Sequence, residues 1–304
     1  MWPSVVGMPF PDQDTVVEYP EGATESAGSV LHVEELAPPR PDVRGELGVV
    51  LDRTAFHPVD GHWPDQPADR GRLILADGTG VDILDARVGA TDGERLCVGR
   101  DVPVRTGTPG WAFVVVHVVP AGTPVHEGDR VGIFADAAYR DALSRGHTAC
   151  HLASLALDRV VADAWSKEVQ TDALGAPAFD ALAIETSEIV RDGARDVYRI
   201  GRSLRKNGFD PAAFDDPAGV AARVEEVLAG WIASDAPVRV DAPEPGLGAR
   251  RSWVCALPGR EARIPCGGTH VTALGDLGRV SVSFDVADAD GARRVVMTTS
   301  VAAA

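Results

Sequence analysis

Two short stretches hold the residues best suited to chemistry, His147-Thr-Ala-Cys-His151 and Cys266-Gly-Gly-Thr-His270. Each has the form ligand-x-x-x-ligand, and together they offer three imidazoles and one thiolate. Zn²⁺ accepts that set, at roughly 2.0–2.1 Å to nitrogen and about 2.3 Å to sulfur. The two stretches use three of the eight histidines and one of the four cysteines, a concentration that argues against coincidence. One zinc ion per chain is expected. Its role stays open at this level. All four residues can bind at once, making the metal structural until one of them, Cys266 first, moves away or the coordination expands. Alternatively three bind, leaving the open position that catalytic zinc keeps for water or substrate.

A second feature is cationic. Arg199, Arg202, Arg205 and Lys206 form the densest basic cluster in the chain and are the expected phosphate contacts. They stand in a protein of formal net charge −16. That balance argues against DNA and against a long nucleic-acid footprint; it is compatible with one end of an RNA or with a small-molecule substrate.

Elements must bring these residues to one place. Ligands three residues apart share a helix face. Leu152, Leu155, Ala156 and Val160 recur at helical spacing behind His147, so the first pair is expected on the first turn of a buried helix. Gly267 and Gly268 suit a helix poorly, so the second pair is expected on a tight turn between strands, with the glycines allowing unusual φ/ψ. Short Val/Ile/Leu runs at 47–51, 73–75, 81–88, 94–98 and 111–119 are separated by Gly-containing turn signals. Such spacing predicts a small β-barrel. Pro217 to Ser234 puts Val220, Val224, Val227, Leu228, Trp231 and Ile232 on one face of an amphipathic helix. The expected fold is α+β. An N-terminal extension (1–44) and a small β-barrel (45–135) precede a two-layer α/β domain with an antiparallel sheet (136–304) that carries the metal.

Composition bounds the class. With 45% hydrophobic and 24% charged residues, the chain reads as an ordinary globular protein. No apolar run reaches membrane-span length, no basic-then-apolar leader opens the chain, and four cysteines without a paired framework suit a reducing compartment. A cytoplasmic, non-membrane protein is expected. The oligomeric state is not legible in residue spacing.

HTACHL followed by PCGGTHV resembles the HxxxH…CxxxH signature of the alanyl-tRNA synthetase editing domain and its free-standing AlaX-like relatives. The resemblance runs through LDRTAFHP, QPADRG and YRIGRSLRKNGFD and covers roughly residues 45–300. It implies zinc on His147, His151, Cys266 and His270, a barrel ahead of the metal domain, and hydrolysis of the ester between an amino acid and the 3′-terminal ribose of tRNA. It also implies action in trans on the acceptor end of aminoacylated tRNA, because the remaining chain is too short for an aminoacylation domain. Family members resemble T-x-F-Y-P, then an acidic residue and G-G-G-Q, then P-A-D-x-G. Thr54, Phe56, Pro58, Gln66, Pro67, Ala68, Asp69 and Gly71 match. His57 replaces the tyrosine, and the seven residues VDGHWPD, including His62, replace a usual four.

The family uses this region to read the aminoacyl group and terminal nucleotide. The resemblance therefore implies catalytic or recognition roles for Thr54, His57 and Gln66, with Thr54 sensing a hydroxylated amino acid and His62 at the substrate. The rebuilt loop moves the expected substrate away from serine on tRNA(Ala), toward a threonine analogue such as fluorothreonine, with the Ser/Gly/Ala class as the alternative. Two rival readings are a metallohydrolase of a free small-molecule ester or amide, and a non-catalytic tRNA-binding protein with a structural zinc.

Overall fold

The computed structural model describes residues 10–36 and 45–302. Residues 1–9 and 37–44 of the expected N-terminal extension lie outside the described residues. The chain divides into two compact units, Met1–Arg140 with Ala242–Arg251, and Asp141–Asp241 with Ser252–Ala304. The fold is α+β, with sheets that are almost wholly antiparallel.

In the first unit, ten strands are found among the described residues: β1 (Val16–Val17), β2 (Glu25–Leu36), β3 (Glu46–Leu51), β4 (Arg53–Thr54), β5 (Gly71–Ile74), β6 (Gly80–Ile83), β7 (Asp85–Thr91), β8 (Leu96–Val98), β9 (Ala112–Pro120) and β10 (Arg130–Ala135). Eight pair in the order β6-β5-β10-β2-β3-β9-β7-β8. Strand β2 serves two neighbours, pairing β10 up to Ser29 and β3 from Val30, with a register shift between Val30 and His32. A shift of this kind bends a strand.

The expected barrel is not confirmed: among the described residues the ladder ends at β6 and β8 and is not closed. Closure needs matched tilt and shear around the whole sheet, which evenly spaced short strands do not specify. The run 81–88 also breaks at Leu84, whose N–H turns to Val118 O at 2.8 Å. Val30, Val49, Leu51, Phe56, Leu73, Val115 and Ile133 make the buried core. Residues 242–251 leave the second half of the chain to join this core through Leu247. Asp14 fixes them, its carboxylate accepting Phe113 N–H at 2.7 Å and Gly248 N–H at 2.8 Å.

Helix α1 (Ala137–Val160) starts at the end of the first unit and runs into the second. Asp136 caps it, accepting Tyr139 N–H at 3.0 Å, as short polar side chains do at this position. The second unit continues with α2 (Phe179–Ala183), β11 (Ile184–Val190), β12 (Gly193–Ile200), α3 (Arg202–Lys206), α4 (Pro217–Ile232), β13 (Val238–Asp241), β14 (Ser252–Leu257), β15 (Arg260–Pro265), β16 (Arg279–Ala289) and β17 (Ala292–Ala302). Sheet β11-β12-β17-β16 and sheet β13-β14-β15 are both antiparallel. Helix α4 starts where Asp216 accepts Gly219 N–H at 2.9 Å ahead of Pro217. It buries Val220, Val224, Leu228 and Trp231, four of the six residues of the stripe the sequence periodicity predicts, while Val227 and Ile232 are partly buried against the same core. These join Leu152, Leu155 and Ala156 of α1 with Tyr198, Val282, Val295 and Met297 of the sheet in one core.

Candidate metal centre

His147 and His151 sit in the third and fourth turns of α1, not the first, because YRDALSRG before them is already helical. The helix is held there by the β11–β12 turn. Asp192 N–H donates to Ala142 O at 2.9 Å, and Arg145 Nη2 lies 2.6 Å from Asp192 Oδ1. Gly146 makes the approach possible: a Cβ on it would meet Gly193 O at 2.4 Å and Val190 O at 2.5 Å. Both obstacles are backbone, so Gly146→Ala must push α1 off the hairpin. We expect a loss of about 1–3 kcal/mol together with reduced metal content, measured as the thermal midpoint and the metal-to-protein ratio of the same sample.

Cys266 and His270 follow β15 on a loop that leads toward a short 3₁₀ turn (Leu274–Leu277). Neither Gly267 nor Gly268 takes a positive φ. The glycines serve otherwise: the Gly268 N–H reaches Cys266 Sγ at 3.4 Å. Two hydroxyl contacts tie the loop to α1. Ser144 Oγ donates to Thr269 Oγ1 at 2.9 Å, and Thr148 Oγ1 accepts Val271 N–H at 3.2 Å.

The four donor atoms lie within 4.8 Å of one another. Cys266 Sγ is 3.5 Å from His147 Nε2 and 3.3 Å from His270 Nε2. A tetrahedral zinc with the bond lengths above would hold sulfur and nitrogen about 3.6 Å apart, close to both values. His151 Nε2 is buried without a hydrogen-bond partner, a position that a lone pair tolerates when it has an ion to bind. Thr148 Oγ1 lies 3.2 Å from His270 Nδ1; accepting that N–H leaves the Nε2 lone pair for the metal, the usual way a second residue fixes a ligand's tautomer. Burial pushes the His151 imidazole down to about 4, which keeps it in the neutral form that binds metal. Trp253 of β14 closes one side, its ring 5.1 Å from His151. The residues present therefore fit a Zn²⁺ ion.

The other expected residues fall in two groups. Arg202, Arg205 and Lys206 share the exposed helix α3 of the second unit. Arg199, on β12, is half exposed, with Glu185 at 3.6 Å. Sequence reading missed Arg294, which is exposed and pairs directly with Arg199 across β12 and β17. Only the strand register reveals it.

Thr54, His57 and Gln66 are all buried in the first unit. His117 Nδ1 lies 3.1 Å from Val49 O, so that nitrogen carries the proton and Nε2 accepts from the Thr54 hydroxyl at 2.9 Å. Thr54 Oγ1 also accepts Phe56 N–H at 3.0 Å. The threonine hydroxyl proton is thus committed to the core. His57 bonds the Pro67 carbonyl through its ring, while its Nδ1 is buried without a partner. His62 sits on the longer loop, pinned through Nε2 to Val102 O at 2.9 Å.

Beneath this segment lies an ion pair that spacing did not announce. Asp69 of the PADRG motif accepts Arg140 Nε at 2.7 Å and the His57 N–H at 2.5 Å, with Arg140 Nη2 closing the fork. Arg140 also donates to Ala55 O at 2.8 Å.

Burial pushes both His57 and His117 down to about 4 from 6.5. The unfolded chain therefore takes up protons first. The stability these two histidines contribute is complete above pH 6.5 and is lost as pH falls toward 4, at up to about 1.4 kcal/mol per pH unit for each. Ring resonances of His117 should stay flat in an NMR titration from pH 8 to about 5; a midpoint near 6.5 would contradict the burial described.

Comparison with curated proteins gives one consistent set of relatives. The alanine–tRNA ligase of Frankia casuarinae is 30% identical over 265 residues, 82% of this chain and 24% of that ligase. The alanine–tRNA ligase of Halorubrum lacusprofundi is 28% identical over 297 residues, 97% of this chain and 26% of the ligase. That of Methanothermobacter thermautotrophicus is 25% identical, again over 97% of this chain. The chain spans about a quarter of the length of these relatives. No family model matches it.

Proposed function

Because the chain belongs to the family of the alanyl-tRNA synthetase editing domain and its AlaX-like relatives, we propose that it is a metal-dependent hydrolase that deacylates aminoacyl-tRNA in trans. One observation carries the reading: His147, His151, Cys266 and His270 gather their donor atoms within 4.8 Å in a chain that aligns with alanine–tRNA ligases along most of its length. The reaction adds water to the ester carbonyl and breaks the bond to the ribose 3′ oxygen, which leaves with a proton. An aminoacyl ester is already activated, so positioning and modest electrostatic help suffice. A zinc ion at this site supplies Lewis-acid polarisation of an ester carbonyl or of water.

The chain's own residues do the rest. Arg202, Arg205 and Lys206, with Arg199 and Arg294 beside them, meet acceptor-end phosphates. The segment from Thr54 to Gln66 reads the acyl group. Thr54 acts by holding that segment, since its proton goes to His117. His57 Nδ1 is the acceptor left unspent; it takes a donor from the acyl group once the segment over it opens, and His62 stiffens the loop. A site that matches a substrate hydroxyl rejects analogues lacking it far more sharply than a site that only measures size. A hydroxylated acyl group such as threonine or its fluorinated analogue suits this arrangement.

The test is amino acid release from a panel holding Ser- and Gly-tRNA(Ala), Thr-tRNA(Thr) and fluorothreonyl-tRNA(Thr). Release from one member supports the reading and names the acyl group. The net charge of −16 favours one rival, hydrolysis of a free small-molecule ester. Turnover of an aminoacyl ester that tRNA neither accelerates nor inhibits would establish that rival instead.

A further inference from the structure

The outer face of β6, β5 and β10 in the first unit lines a groove of ≈ 830 Å³. Its walls are largely Ile74, Ile83, Leu84, Phe134, Arg70 and Arg72. Leu84 is 55% and Phe134 43% exposed, although both are large and apolar and stand together. Their exposure is not forced by the fold. Gly132, two residues before it, leaves the ring room: a Cβ there would lie 3.3 Å from a Phe134 ring carbon. Adjacent apolar side chains exposed in a group mark a contact surface more often than chance placement.

Charge decides what the surface fits. Arg72 pairs in register with Asp82 of β6 on one side and Phe134 of β10 on the other, and its Nε lies 3.0 Å from Asp82 Oδ1. Arg70 stacks over Tyr139 at 4.5 Å, and Asp136 caps α1. Two arginines therefore face two aspartates, and the groove is neutral in a chain of net charge −16. A polyanion finds no net attraction there. A surface carrying both signs side by side complements itself when turned through a two-fold axis.

We propose that this groove is a self-association surface, on which two copies of the chain meet in an isologous contact. Phe134 and Leu84 of each copy are buried against the other, and Arg72 of one copy faces Asp82 of the other. None of the residues that line the groove is one assigned to metal, acyl group or phosphate, so the inference does not depend on the proposed activity.

The contact has an unusual salt signature. Two copies of net charge −16 repel at long range, and salt screens that repulsion without weakening apolar burial. Sedimentation equilibrium of the full chain, up to about 100 µM and at roughly 0.05 and 0.5 M NaCl, should show a dimer that tightens several-fold at the higher salt. Phe134→Asp and, independently, Leu84→Asp should each raise the dissociation constant at least about tenfold, with circular dichroism melts matching the wild type. A wild-type chain that stays monomeric at both salts would overturn the proposal. So would a dimer that survives both substitutions, or a monomer whose groove instead takes a short single-stranded RNA in a Phe134-dependent way.

Discussion

Replacing Asp69 with alanine is expected to cost about 3–5 kcal/mol, because it leaves Arg140 charged and buried with no counter-ion. Both side chains are almost wholly inaccessible, at 4% for Arg140 and 1% for Asp69. Without the carboxylate, the guanidinium keeps, among the described residues, the carbonyls of Ala23 and Ala55. The His57 N–H loses its acceptor as well. That loss is a large part of the roughly 5–15 kcal/mol by which a typical domain is stable. Urea unfolding followed in the first unit measures it. Removing both partners as Asp69→Ala with Arg140→Met should cost less than Asp69→Ala alone, since no charge is then stranded. A single-variant loss below about 1 kcal/mol would show that the pair is not buried as described.

This pair illustrates what the sequence carries and what it hides. Asp69 was visible as part of PADRG, but nothing marked Arg140 as its partner, 71 residues away. Long-range partners have no periodic signature. The grouping of His147, His151, Cys266 and His270 was legible because each pair is local: identity and spacing alone place two donors on one helix and two on one loop. Helix α4 was legible for the same reason, its buried stripe recurring at 3.6 residues. Strand closure was not, since tilt and shear belong to the whole sheet. The run 184–190 carries polar Glu185, Ser187 and Glu188, too many for an apolar strand pattern, yet it forms β11 at the edge of its sheet. Edge strands are free to be polar because one side meets water.

Replacing His147 with alanine should remove metal and turnover together. Loss of a residue that merely orients a metal ligand weakens binding by about 10–100-fold, so loss of a ligand itself should exceed about 100-fold in both. Thr148→Val supplies the graded comparison. It keeps all four ligands but removes the oxygen that holds His270 Nδ1 at 3.2 Å, and should fall within that 10–100-fold range. The two are separated by titrating zinc into metal-free protein and following deacylation in parallel. Full turnover in metal-free His147→Ala would mean that the four residues meet for a reason other than catalysis.

The central claim is that this site hydrolyses an aminoacyl ester with a metal bound. It is tested most directly by one single-turnover experiment on a charged tRNA, run on the protein as purified, after chelation, and after restoring one zinc per chain. The account predicts rapid release, then none, then recovery to the starting rate. Release that continues unchanged at a metal content near zero would contradict it.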